Sequence, residues 1–270
     1  MNPTRRPLAG AFALLTLGAL CAAAPARGDD FEALRRRGRL RAIVERSDLQ
    51  VTPVFAAQAN AFEREVLAGF AALHKLEVEL VVVDSFRERI DALVDGRGDV
   101  IVGLVVTPER RKRIAFTHEV FPVRHVVVTL APRAPVTRLD ELRKLRLGTV
   151  PGSSWQEEIS GLGLPASQVD AGYDTPAALV AALTAGKVEA LVLSTRYAIL
   201  ARLRRPELQL GLMLGRPSSV AFAVRHDQPG LRAALDRHVD ALRASTDWSR
   251  MVVRTFGDAG LEVLRRAREE

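Results

Sequence analysis

The residues best suited to chemistry in this chain are an arginine at a strand end and a small-residue turn. Arg110 follows the continuous apolar run that Asp99 opens. A guanidinium grips a carboxylate through two parallel hydrogen bonds, which an ammonium cannot do. Arg111, Lys112 and Arg113 come directly after it, so a solvated basic turn is the competing reading. Gly152, Ser153 and Ser154 form a turn that opens a helix. Free N–H groups and the positive end of a helix suit an anion there, and either serine serves equally as an N-cap. Gly103, late in the apolar run, leaves backbone open to a ligand, and it equally marks a bend or bulge. Glu45, Glu157 and Glu158 are carboxylates that could stand beside Arg110.

Other chemistries find no support. The histidines His74, His118, His125, His226 and His238 have no metal-ligand spacing, and a single cysteine excludes a multi-cysteine cluster. There is no phosphate-cradling glycine loop, no G-x-G-x-x-G after a strand and no G-x-S-x-G. No cofactor and no metal are expected, and the chain does not read as an enzyme. The formal net charge is +7, but arginine supplies nearly all of the 39 basic residues and is spread along the chain. Aromatics are only 5%, with no stacking platform beside the basic residues, so no nucleic-acid partner is expected.

The elements that must hold these residues alternate between strand and helix. Strands are read over 40–44, 78–83, 99–106, 147–150, 188–193 and 220–224. Helical spacing covers 62–73, 86–94, 139–145 and 229–242. Ser85 and Thr175 fit N-caps, with Pro176 at the first helical position and Gly96 and Gly186 as stops. Two stretches share one grammar: "VDSFRERIDALVDGRGDVIVGLV" from Val83 and "YDTPAALVAALTAGKVEALVLS" from Tyr173. Each runs turn, helix, glycine-containing stop, then an acid before an apolar strand. The pattern implies an α/β protein of two similar lobes with mainly parallel sheets.

Residues 1–26 read as a secretory signal. Arg5 and Arg6 give the basic start, 8–24 the apolar stretch and Ala24-Pro25-Ala26 the cleavage site. Cleavage removes Cys21, the only cysteine, which suits an oxidising compartment. A soluble periplasmic protein is expected.

The order of the pieces resembles the family 3 extracytoplasmic solute-binding proteins, the polar-amino-acid receptors of ABC importers. "GRLRAIV" is similar to the family's first strand, and "AFEREVLAGFAAL" to the helix after it, with Glu63 and Glu65 at its acidic positions. "GDVIVGLVVTPERRKRIAFT" carries the family's strand, T-P-E-R and F-(S/T) motif. "LDELRKLRLGTVPGSSWQ", "AGKVEALVLS" and "SVAFAVRHDQPGLRAALDRHVDALRAS" follow in the family's order, so the resemblance runs from Gly38 to Gly257. It implies a two-lobe Venus-flytrap fold. Lobe 1 would be 27–127 plus 220–270 and lobe 2 128–219, hinged near 126–130 and 219–224, closing on a ligand. It places Arg110 at the carboxylate-binding arginine, and Gly152, Ser153 and Ser154 against the same carboxylate from lobe 2.

Several positions depart from the family. Ser194 stands where an Asp usually holds the ligand's α-ammonium. Val105 replaces a hydroxyl, Asp48 in "ERSDLQ" stands near a usual tyrosine, and Val120-Phe121-Pro122 replaces a tyrosine pair. Either Asp48 or Glu45 supplies the lost anion from the other lobe, or the ligand is an anion without an ammonium, or the cleft no longer serves transport. The expected function is capture of a small carboxylate-bearing solute, an amino acid or organic acid, for the permease of an ABC importer. The alternative is an accessory or sensory binding protein that meets another periplasmic protein. A cyclohexadienyl-dehydratase-like enzyme is the weaker third reading. A lytic transglycosylase on this module would need a further catalytic domain and is not expected. The expected ligand set is Arg110, Gly152, Ser153, Ser154, Gly103, Asp48 and Ser194, in a monomer. Trp155, which follows the turn, is expected to be a packing residue, with lining of the cleft as the alternative.

Overall fold

A computed structural model describes residues 29–55 and 59–269. The expected signal segment and Cys21 lie outside the described residues. The chain starts with α1 (Asp29–Arg37), β1 (Arg39–Glu45), a one-turn α2 (Arg46–Leu49), α3 (Ala61–Leu73), β2 (Glu77–Val83), α4 (Phe86–Val94) and β3 (Val100–Val105). A one-turn α5 (Pro108–Arg111) and β4 (Ala115–Phe116) lead into β5 (Phe121–Leu130), which crosses to the second lobe. That lobe holds α6 (Leu139–Leu142), β6 (Leu147–Gly148), α7 (Ser154–Gly161), β7 (Val169–Asp170), α8 (Pro176–Thr184), β8 (Ala190–Ser194) and α9 (Thr195–Arg204). The long β9 (Leu208–Val224) returns, and α10 (Pro229–Arg243), α11 (Thr246–Phe256) and α12 (Asp258–Arg266) follow.

The strand order is β2-β1-β3-β9-β5-β8-β6-β7. In the first lobe β1 runs parallel to β2 and β3, with β9 antiparallel on β3. In the second, β6 runs parallel to β7 and β8, with β5 antiparallel on β8. β5 and β9 pair with each other and join the halves. The protein is therefore α/β, with two lobes built on mostly parallel sheets. β3 and β8 are buried at every position, which is why both read as unbroken apolar runs rather than alternating ones.

The repeated grammar has a physical basis. Asp99, just before β3, accepts a hydrogen bond from the Arg41 N–H of β1 at 2.8 Å. Glu189, just before β8, accepts one from the Arg146 N–H beside β6 at 3.1 Å. In each lobe an acid thus fixes where two parallel strands meet. The helix starts are set locally as well. Ser85, Thr107, Ser153 and Thr175 each accept a backbone N–H of the first helical turn through their side chains. These caps position Phe86 and Arg89 on α4, Arg110 on α5 and Ser154 on α7.

Some elements differ from the sequence reading. β9 is a 17-residue strand, not a short one over 220–224. Its first ten residues contain Gly211, Gly215 and Pro217, and pairing with β5 makes them a strand where composition does not. α6 and β6 stop earlier than the expected 139–145 and 147–150. Sequence periodicity alone does not single out α9, α11 or α12.

Candidate functional site

The layer between the lobes is rich in buried charge. Glu45, Asp48, Glu63, Arg89 and Arg110 of the first lobe and Arg196 of the second are all buried. Charges persist out of water only when paired, so their partners define the site. Arg89 lies one helical turn after Phe86, which places both on the inward face of α4. Its Cζ stands 4.4 Å from the Phe86 ring centroid. Its Nη2 donates to Glu45 Oε2 at 2.6 Å, and its Nη1 lies 3.4 Å from Asp48 Oδ2. Burial works against the Arg89 charge, but Asp48 and Glu45 outweigh it and hold its pKa above the ordinary value.

Two links cross to the second lobe. Tyr197 Oη donates to Asp48 Oδ1 at 2.7 Å. Arg196 pairs with Glu63 Oε1, and its Cζ lies 4.5 Å from the Tyr197 ring centroid. Gly103 makes room for that pair: its φ is +67°, and a Cβ there would run into the Glu63 carboxylate. Burial pushes the Glu63 carboxyl up against the pull of Arg196, and the Glu45 carboxyl up against the pull of Arg89. Burial also drives the Tyr197 hydroxyl well above its usual range, helped by Asp48.

Arg110 is different. Its Nη1 donates to Val105 O at 2.9 Å and its Nη2 to Gly152 O at 3.2 Å, so it too spans the lobes. Its carboxylate neighbour is Glu157, 3.5 Å from Nε and 40% exposed. Burial lowers the Arg110 pKa to about 10, opposed by Glu157 and reinforced by the charge of Arg89. Its positive charge is the least neutralised of the three buried arginines.

The turn opposite is shaped by its own residues. Gly152 has φ +75°, and a Cβ there would come within 3.2 Å of the Arg87 nitrogen across the cleft. Gly152 N–H donates to Gln156 Oε1 at 2.7 Å. Ser153 Oγ donates to Val150 O at 2.6 Å and accepts from the Gln156 N–H at 3.1 Å, so it caps α7. Ser154 Oγ lies 3.0 Å from His125 Nε2, and His125 Nδ1 lies 3.3 Å from Glu158 Oε2. Serine hydrolases use this order of groups with an exposed nucleophile. Here Ser154 is only 3% exposed, and the chain ties the crossing strand β5 to α7. Trp155 packs edge-on against Phe86 and Tyr197, with centroids 5.4 Å away in each case.

The predicted residues therefore meet to different degrees. Arg110 and Gly152 touch directly. Ser153 and Ser154 sit in the same turn, with their hydroxyls engaged by Val150 and His125. Gly103 faces Glu63. Asp48 is committed to Tyr197 and Arg89, and Glu45 to Arg89. Ser194, at the C-terminal end of β8, is buried and its Oγ has no hydrogen-bond partner. Trp155 Nε1 and Thr149 Oγ1 are buried without partners as well. Glu63, Arg89, Arg196 and Tyr197 escape the sequence reading as site residues. The available signal is Arg89 itself, an arginine on the apolar face that Phe86 and Leu93 define. A cavity between Asp48, Phe55, Pro176 and Tyr197 measures about 10 Å³, room for one water at most. The lobes are shut on each other. Among the described residues no cluster of His, Cys, Asp and Glu could hold a metal ion, and no helix is long and apolar enough to cross a membrane.

Comparison with known proteins places this geometry. The family model of the bacterial extracellular solute-binding proteins, family 3, matches residues 56–258. The chain is 26% identical over 213 residues to the membrane-bound lytic murein transglycosylase F of Maricaulis maris, covering 77% of this chain and 46% of that protein. The chain thus spans less than half the length of the curated relatives it matches. Its structure is similar to that of a mutant of ArgBP from T. maritima, with TM-score 0.71, 21% identity and coverage of 85% of this chain and 100% of that one. It is also similar to an ABC uptake transporter substrate-binding protein from Streptococcus pneumoniae with bound histidine, with TM-score 0.74, 17% identity and coverage of 86% and 97%. At these identities the structures speak to the fold. The family match takes in β3, α5 with Arg110, the Gly152 turn and β8, and the chain belongs to family 3 of the bacterial extracellular solute-binding proteins.

Proposed function

We propose that the protein captures a small carboxylate-bearing solute between its lobes and delivers it to the permease of an ABC importer. The observation that carries this reading is Arg110, a buried guanidinium that donates to two backbone carbonyls and to no carboxylate at hydrogen-bond distance. A solute carboxylate would replace Gly152 O as its acceptor and complete the neutralisation that half-exposed Glu157 only begins at 3.5 Å. The second lobe also holds buried polar atoms without partners, on Ser194, Thr149 and Trp155, which are further candidates to meet a polar solute. The lobes, 27–127 plus 220–270 and 128–219, would part about β5 and β9 to admit it. The working compartment is the periplasm, reached after loss of residues 1–26.

A second reading has its own support. Arg196–Glu63 and Tyr197–Asp48 bond the two lobes to each other directly through their own side chains. A cleft that closes on its own side chains suits an accessory or sensory binding protein, and the relatives named as murein transglycosylases, of which this module would form under half, fit that setting.

A thermal-shift screen of residues 27–270 tests the first reading. The panel holds amino acids, mono- and dicarboxylates and carboxylate-bearing murein peptides. A ligand of the folded state alone stabilises by about 2.7 kcal/mol at a hundred times its dissociation constant. A shift confined to carboxylates supports capture. Silence across a well-folded sample moves the assignment to the accessory reading.

A further inference from the structure

The cleft has a second charged corner that the Arg110 reading leaves unused. Glu45 at the end of β1 and Asp48 on α2 have side chains 1% exposed, and the group between them, Arg89, also lies 4.4 Å from the centroid of the Phe86 ring. Two buried carboxylates and an aromatic face are a receptor for a guanidinium or ammonium group. The group they hold is the chain's own Arg89, by the contacts given above. The corner adjoins the solute site. Trp155, which follows the Gly152–Ser154 turn, packs on Phe86, and the charge of Arg89 acts on Arg110.

We infer that Arg89 is a built-in cation: its guanidinium occupies the place a solute's cationic group would take, so the cleft accepts a carboxylate that carries no ammonium or guanidinium, and Arg89 sets that selectivity. The inference rests on the carboxylate reading of Arg110. A solute ammonium would find no uncommitted acid among the buried ones of the layer, and half-exposed Glu157 already faces Arg110. Glu45 and Asp48 are committed to Arg89, and Glu63 to Arg196. It would also face three buried arginines, and a desolvated, unpaired ammonium is costly. The same acid without its amino group avoids both penalties.

The test uses matched pairs: succinate with aspartate, glutarate with glutamate, butyrate with 2-aminobutyrate. In calorimetric titration of the wild-type protein, the acid without the amino group is expected to bind at least ~100-fold tighter than its amino partner. An amino acid that binds as tightly as its partner overturns the inference. Arg89→Ala empties the corner and leaves Glu45 and Asp48 without their cation. Low-millimolar guanidinium chloride is expected to raise its melting temperature above that in equal sodium chloride, and to leave the wild type unmoved. No such difference in a folded Arg89→Ala sample overturns the inference, whereas a variant that folds only with guanidinium supports it. Wild-type protein that binds neither member of any pair and no carboxylate of the thermal-shift panel ends the Arg110 reading, and the guanidinium experiment then decides the corner alone. If the variant also folds under neither condition, the inference falls with it.

Discussion

At the scale of single residues, the closed cleft depends on charges that sequence neighbours do not explain. Glu63 is fully buried and pairs with Arg196 from the opposite lobe. Removing one partner of a buried pair strands the other, at a cost of about 3–5 kcal/mol. Arg196→Met is therefore expected to lower unfolding free energy by about that amount in urea titration, and a loss below ~1 kcal/mol would mean that solvent reaches Glu63. Gly103→Ala acts on the same pair from the strand side. It imposes a Cβ at φ +67° and drives it into Glu63. A loss of more than about 1 kcal/mol is expected in the same assay, and an unchanged midpoint would refute the account of that glycine.

At the scale of elements, caps and helix packing set the geometry. Ser153→Ala removes the α7 cap and should cost about 1 kcal/mol. It also frees the turn that presents Gly152 O to Arg110, so carboxylate affinity should fall with it. An intact affinity beside reduced stability would separate the cap from the site. A second element-level prediction concerns pH. α1, α3 and α10 meet around Phe31, Phe70, His74 and His238. Burial lowers the pKa of His238, whose Nε2 lies 3.0 Å from Val66 O, and burial with nearby Arg35 lowers that of His74. Both groups bind protons more weakly in the fold than at their ordinary 6.5. Their contribution is thus present above that value and is lost as pH falls through the lowered folded values. The melting temperature is expected to drop on acidification below pH 6.5 in the wild type and less steeply in His238→Gln, and parallel curves would contradict this.

Caps, stops and apolar strands were legible in the sequence because each is decided within a few residues. Ser85, Thr175 and the runs that became β3 and β8 are examples. Arg110 and the Gly152 turn were legible through the family motif that contains them. The corner residues were not. Arg89 meets Glu45 over 44 positions, Arg196 meets Glu63 over 133, and Tyr197 meets Asp48 over 149. A charge pattern read along the chain has no access to pairings of that range. It sees Glu45 and Asp48 as loop acids free to hold a ligand, where the fold has already given them a cation. The first half of β9 was hidden for a related reason, since its partner strand rather than its composition makes it a strand.

At the scale of the whole molecule, side chains tie the lobes to each other directly. Arg110 to Gly152, Arg196 to Glu63 and Tyr197 to Asp48 are interlobe links, and the aromatic stack of Phe86, Trp155 and Tyr197 fills the space between them. Small-angle scattering of the ligand-free protein should therefore give the compact form, and the doubly substituted Glu63→Gln, Tyr197→Phe protein a larger radius of gyration. Equal radii would mean that other contacts hold the lobes together. Closure by side chains also makes a solute compete with internal bonds, and of these the bond from Arg110 to a backbone carbonyl is the one a carboxylate replaces at least cost. The most direct test is a calorimetric titration of the best carboxylate of the panel into wild-type and Arg110→Met protein of verified fold. The account predicts clear binding to the wild type and a loss of about 2–5 kcal/mol in the variant. Equal affinity in the two would contradict it.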